Sequence, residues 1–479
     1  MFSSVLPWYL NLLLLSWLAW PLLFRVCTRL HDRGLGLARA FGLILTTYLT
    51  WLLGSTALAR GANPLLPFGY ASVLLALGIV ALVSAVSFVT EYDTILTFVR
   101  RNRRLILCYE VLNLAAFALM IALRAQVPHI SYHSTNYLTD PLLDYAAEKF
   151  TDFAILNGLL ASAHFPPQDP WLAGATMNYY YFGHLLWACM IKLTGVRPEI
   201  GYNLGLASIL ALVAVLACSL GYNLTGRLRW GLLAAFLIAA AGNLDGFLQL
   251  LGIAKQILIE SEREGLPVLS GWEAWFRNYD FWRSSRAVKN TITEFPAFSF
   301  VLGDLHAHLS GLVIYLTGLG LLIQMFRSAR SYPSLLRYEI SCWDELFLAA
   351  LLIGAMSAAN SWDALSFACV TACVIWAARL RHRPAPGNDK AEGVAARLMT
   401  GGEVLLLAAV LVIVGTRGLF FAYGRFFEPP FPPLMFSLQG GGLSLEKLEP
   451  RGGWNLEAGL RYLTPTLEVY SAPLRWLRP

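Results

Sequence analysis

Charge is scarce in this chain. Of 479 residues only 14% are Asp, Glu, Lys or Arg, while 57% are hydrophobic. That balance excludes an ordinary soluble domain, which needs a polar shell, and it excludes a disordered chain. Basic patches with interleaved aromatics are also missing, so the formal net charge of +6 is not a nucleic-acid footprint. The seven cysteines are odd in number, and Cys108, Cys189, Cys218, Cys369 and Cys373 lie inside apolar runs. They read as small core residues rather than a disulfide framework. The N-terminus has no charged region followed by a small-residue cleavage site, so its first apolar run is expected to remain as a span. No internal repeat of clear period is present, which tells against an inverted-repeat transporter.

What the chain has in abundance is apolar runs of about 18 to 24 residues. They predict an all-α, polytopic integral membrane protein of about 11 to 12 helices, set in a lipid bilayer. Spans are expected at 5–25, 39–59, 68–90, 105–123, 180–195 and 201–222. Arginines 25, 29, 33, 39, 100, 101, 103 and 104 flank the first four. The positive-inside bias places those connectors in the cytoplasm and the loop 124–177 outside. Residues 229–260 read either as one span or as two short helices broken at Gly242-Asn243-Leu244-Asp245-Gly246. Only the broken form keeps the later basic connectors inside. A span opening after Glu294–His308, an apolar stretch 345–380 interrupted at Asn360-Ser361-Trp362-Asp363, and a last span at 403–422 complete the set. The expected organisation is N-terminal helices 1–104, a membrane core 105–380 with the interfacial connector 261–293, a flexible cytoplasmic linker 381–402, and a last span with an outer tail, 403–479.

Under this topology the polar clusters 152–184, 294–308, 360–363 and 425–428 converge on the outer face. Asp152 follows the fourth span and can act as a general base if partial burial raises its pKa; the plain alternative is a solvated loop acid or helix cap. The segment Phe165-Pro166-Pro167, then Asp169-Pro170-Trp171, stiffens the backbone and can shape a groove, or merely end one interfacial helix and start the next. Three consecutive tyrosines, Tyr179, Tyr180 and Tyr181, cannot all face lipid, so at least one phenol points into the protein. Asp304, His306 and His308 form D-x-H-x-H, a metal-ligand spacing when it ends a strand. In a helix, His306 would turn roughly 200° away from Asp304. An Asp/His pair that binds a phosphate-linked metal (Mg or Mn) or relays a proton, and simple helix capping, remain open readings. Arg283 and Arg286, with Arg277 and Lys289, can grip a lipid phosphate or anchor the connector at the membrane surface. Glu110 and Arg417 read as internally paired charges.

The motifs EKFTDFAILN, FPPQDPWLAG, NYYYFGH, NLDG, EFPAFSFVLGDLHAH and NSWD together closely resemble the YYY-domain membrane proteins, an uncharacterised family named for the tyrosine triplet. More distantly, a span, a long outer loop opening on an acid, an FPP-like segment and a following span resemble the membrane-embedded GT-C glycosyltransferases, including protein mannosyltransferases. That second resemblance implies a sugar taken from a polyprenyl-phosphate carrier on the outer face, with Asp152 in the place of the first-loop catalytic acid. Where GT-C loops often carry paired acids, this chain has Thr151-Asp152.

The reading that follows is a transferase moving a sugar from a polyprenyl-phosphate carrier to an unidentified acceptor. Asp152 is its base, and Asp304 and His308 assist at the leaving phosphate, with Asp304, His306 and His308 as a metal set. Glu148, Asp169, Trp171, Tyr179, Tyr180, Tyr181, His184, Glu294, His306, Asp363, Arg283 and Arg286 would face the substrates. The rivals are a transporter or flippase, in which Asp245, Asp363 and the histidines lie on the pathway, and a non-enzymatic assembly protein.

Overall fold

A computed structural model describes residues 2–56, 64–126, 147–249, 251–252, 283–286, 291–328, 343–381, 390–427, 434–439 and 442–447. The helices run α1 Phe2–Val26, α2 Ala38–Gly54, α3 Tyr70–Thr90, α4 Tyr92–Arg101, α5 Arg103–Gln126, α6 Ala147–Ala161, α7 Phe182–Thr194, α8 Pro198–Thr225 and α9 Leu228–Ala239. After these come α10 Pro296–Leu302, α11 Ala307–Arg327, α12 Trp343–Ala359, α13 Ser361–Arg381, α14 Lys390–Ile413 and α15 Phe421–Phe426. Residues up to Arg425 form one compact unit. The second unit, Phe426–Pro479, contains an antiparallel hairpin of Leu434–Gln439 and Gly442–Lys447.

Among the described residues eight helices are long and apolar enough to cross a membrane, within α1, α2, α3, α5, α8, α11, α13 and α14. The chain is therefore an α-helical polytopic membrane protein. Two shorter apolar helices, Phe182–Thr194 and Leu228–Ala239, accompany them.

The core is built around α8. Proline at its first turn supplies the fixed φ that starts a helix, and Gly226, at φ 69°, takes the left-handed position that ends it. Its 28 residues span about 42 Å. Nearly all of its apolar window is buried inside the bundle, whereas two thirds or more of the windows of α3, α5 and α14 are open at the bundle surface. Lipid is the natural solvent for those open faces, because side chains such as Leu82, Val89, Leu107 and Leu405 are exposed there.

Two acids within the bundle, Asp32 and Glu110, are closed off by their own partners. Asp32, in the turn between α1 and α2, is fully buried. It accepts from the Gly34 and Gly36 amides at 3.0 and 3.3 Å, from the Tyr109 hydroxyl at 3.1 Å and from the Ser219 hydroxyl at 2.6 Å. Four donors on one carboxylate replace its lost water and tie α1, α5 and α8 together. Arg39 grips Glu110 through both carboxylate oxygens at 2.9 and 2.7 Å, and Arg417 donates to the Gly424 carbonyl at 2.7 Å. Glu110 is internally paired, as expected, whereas Arg417 is exposed and bonds a backbone carbonyl.

The predicted interruptions are present. Helix α9 stops at Ala239, residues 241–243 are not helical, and helix resumes at 244. Asn243 Oδ1 accepts from the Asp245 amide at 3.1 Å, capping the new helix. The stretch 345–380 divides between α12 and α13 at Asn360. The linker expected at 381–402 differs: its second half is helical, because α14 already begins at Lys390. The sequence KAEGVAARLM is rich in strong helix formers, and that propensity outweighs its polarity. The connector 261–293 lies outside the described residues except for 283–286 and 291–293.

Candidate functional site

Four elements meet at one end of the bundle: α6, the start of α7, the first turns of α8, and the turn 303–306 between α10 and α11. That turn exists because of Gly303. Its φ of 72° is the left-handed conformation that ends α10, and a Cβ there would collide with the Arg124 guanidinium. Below it Trp187 donates to the Ser310 hydroxyl at 2.9 Å, locking α7 onto α11.

The turn brings Asp304 to Asp152. Both carboxyls are buried, at 5% and 1% exposure, and they lie within hydrogen-bonding reach of each other. Asp152 Oδ1 bonds His184 Nε2 at 2.9 Å. Its Oδ2 is buried with no donor. Two ionised carboxylates cannot satisfy that oxygen, but a proton held between the pair does. Asp304 Oδ1 accepts from the Tyr202 hydroxyl at 3.4 Å, and the same phenol oxygen accepts the Leu305 amide at 2.9 Å. Tyr202 thereby fixes both the acid and the turn that carries it.

Burial pushes the Asp152 carboxyl up to about 6, offset in part by its hydrogen bond to Asp304. Asp304 is raised further, first by burial and then by the charge of Asp152 beside it. Burial raises both acids and each feels the other, so the pair as a unit holds a proton to higher pH than a free carboxyl would.

A half-exposed rim surrounds the pair. His306 Nε2 lies 3.2 Å from Glu148, His306 Nδ1 lies 2.8 Å from His308 Nδ1, and His308 Nε2 lies 3.2 Å from the Ser299 hydroxyl and 3.7 Å from Glu294. Since Nδ1 faces Nδ1, one ring must donate and the other accept, which makes the rim a chain able to pass a proton. Tyr179 senses the charges of Asp152 and Glu148, and its ring lies 4.2 Å from that of Tyr180. Burial raises the Tyr179 phenol.

Other expected residues lie elsewhere. Tyr181 is buried, takes the Trp51 indole N–H at 3.1 Å and stacks on Phe165. Phe165 is itself pinned to the end of α2, its amide donating to the Gly54 carbonyl at 2.9 Å. Tyr181 is thus a packing residue. Asp169 caps its own turn through the Trp171 and Leu172 amides, and Trp171 is 67% exposed at that loop. Asp363 approaches α11 at Gly311, one turn below His308. Arg283 is committed to Asp245 at 3.0 Å, and Arg286 folds onto Ser285 at 2.7 Å.

The D-x-H-x-H metal set is not assembled. Among the described residues no three His, Cys, Asp or Glu side chains form a metal-holding group. The segment is a turn entering a helix, not a strand, so Asp304 faces Asp152 while His306 and His308 face each other. No Mg or Mn step is carried into the mechanism.

The sequence reading missed Tyr202, Arg124 and Lys149. All three are polar groups at or beside the ends of apolar helices, where burying them is costly and so calls for a role. That signal was present at Arg124 and Lys149 in the sequence itself.

A family model described as "Uncharacterized membrane protein (DUF2298)" matches residues 45–431. No curated protein and no solved structure matches the chain.

Proposed function

We propose, for a chain that belongs to the DUF2298 family of uncharacterised membrane proteins, a membrane-embedded glycosyltransferase. It moves a sugar from a polyprenyl-phosphate carrier to an acceptor hydroxyl at the outer face. The observation that carries this reading is the buried Asp152–Asp304 pair, two interacting acids that burial raises toward neutral pH, where a carboxyl can exchange a proton with a substrate hydroxyl. Asp152 takes the proton of the acceptor hydroxyl as that oxygen bonds to the anomeric carbon. The bond from that carbon to the carrier oxygen breaks, and the electron pair leaves with the phosphate. His184 holds the Asp152 carboxylate in place through the 2.9 Å bond. Asp304 and the histidine rim manage the protons of the site, and Tyr179 and Tyr180 offer aromatic faces for a sugar ring.

The test is transfer of radiolabelled sugar from a panel of polyprenyl-phosphate sugars by wild type and by Asp152→Asn, matched for folding. Transfer that collapses in the variant supports the class and the base together. Transfer that survives keeps the class but moves the base to Asp304. Tight carrier binding without transfer or hydrolysis by wild type would refute the enzyme and favour a flippase.

A further inference from the structure

Beside the acid pair stand two buried cations to which the reading above gives no part. Arg124 ends α5 and is 6% exposed; Lys149, three residues before Asp152 on α6, is 4% exposed. Arg124 Nε donates to Asn203 Oδ1 at 2.8 Å, and its Nη1 packs on the Gly303 backbone. Its Nη2 is buried with no acceptor. A guanidinium N–H without a partner in a buried place is costly, and it marks where an acceptor is missing. Lys149 is near enough to feel both Arg124 and Asp304, and burial followed by Arg124 pushes its ammonium down to about 8. It therefore remains charged at pH 7.

Of the acids nearby, Glu148 lies beside His306 and Glu294 beside His308 on the rim, and Asp304 is the acid that Lys149 feels. None of them accepts the buried Nη2 of Arg124. A buried guanidinium N–H without an acceptor, beside a buried ammonium, calls for an oxyanion, and a phosphate group suits it: Nη2 and the ammonium can each donate to one of its oxygens.

We infer that Arg124 and Lys149 form a phosphate-binding subsite adjoining the Asp152–Asp304 pair. This deepens the transferase reading and rests on it for the identity of the ligand, the phosphate of a polyprenyl carrier. It places that phosphate at α5 and α6 instead of at Arg283 and Arg286, which are engaged with Asp245 and Ser285. The phosphate would leave against the two cations while the acceptor is deprotonated at Asp152.

The experiment measures binding to the full chain in lipid nanodiscs with three probes: a polyprenyl phosphate, the matching neutral polyprenol, and inorganic phosphate. Wild type should prefer the polyprenyl phosphate to the polyprenol by about 10-fold or more, and Arg124→Gln and Lys149→Gln should each erase most of that preference. Arg124→Lys, which keeps charge but not the planar fork, should fall between. Inorganic phosphate that displaces the lipid in wild type but not in the variants also supports the subsite, and binding of inorganic phosphate alone assigns it to a free anion. Equal affinity for polyprenyl phosphate and polyprenol in wild type, or undiminished preference in both variants, overturns the inference. Its failure is separable from that of the transferase reading: sugar transfer with unaltered carrier binding in both variants sinks only the subsite, and Arg124-dependent phosphate binding without transfer sinks only the enzyme.

Discussion

Removing both carboxyls with Asp152→Asn and Asp304→Asn should make the protein more stable at neutral pH. The two side chains keep their shape, so the change isolates the cost of ionisation. Asp152 stands at about 6 in the folded protein against the ordinary 3.8. Roughly two pH units at about 1.36 kcal/mol each come to about 3 kcal/mol. The sign follows from the direction: because the folded value is the higher one, the stability tied to this proton is fully present below about pH 4. It is lost as pH rises through about 6. Asp304 is also raised and acts in the same direction. The assay is the denaturant midpoint of wild type and double variant in the same detergent, from pH 4 to pH 8. Wild type should weaken relative to the variant across that range. A difference that stays flat, or that grows in favour of wild type with rising pH, would refute the buried acid pair.

Three further outcomes are expected. Gly303→Ala should lower the unfolding free energy by at least about 1–2 kcal/mol, the cost of a side chain in the left-handed region, and displace Arg124 as well, read as weakened polyprenyl phosphate binding. Tyr202→Phe removes the acceptor of the Leu305 amide and a donor to Asp304; about 1–3 kcal/mol of stability should go, together with most of the transfer rate, measured as kcat in the sugar-transfer assay. Tyr181→Phe should cost only about 1 kcal/mol and leave transfer intact, because its hydroxyl serves Trp51 and not the acid pair; a collapse of kcat would return Tyr181 to the substrate wall.

The membrane architecture was legible because its signal is strong: an apolar run long enough to span needs only counting. Helices α1, α3, α5 and α8 begin and end within a few residues of the expected spans. The breaks at Gly242–Asn243 and at Asn360 were legible for a related reason, since a polar interruption in an apolar run must be capped by its own side chains. Helix α14 was misjudged at its start, where local helix propensity outvotes the polar, linker-like composition. Within the site, Asp152 and Asp304 could be singled out as acids at span boundaries, but not as a pair, because their meeting depends on the packing of α6 and α11 against α8. Arg124 could have been singled out as a charge at the end of an apolar span, but its unmet N–H could not, because a hydrogen bond that nothing accepts is invisible without coordinates.

The order in which the parts of the site leave the ribosome has its own consequence. Asp152, His184 and Tyr202 are all synthesised well before Gly303, the residue that turns Asp304 toward them. A nascent chain that stops short of Gly303 lacks both the second acid of the pair and the α11 helix that covers α8. The acid pair is a product of late assembly. Until α11 is in place Asp152 has no second acid beside it, and the face of α8 that α11 covers has no partner.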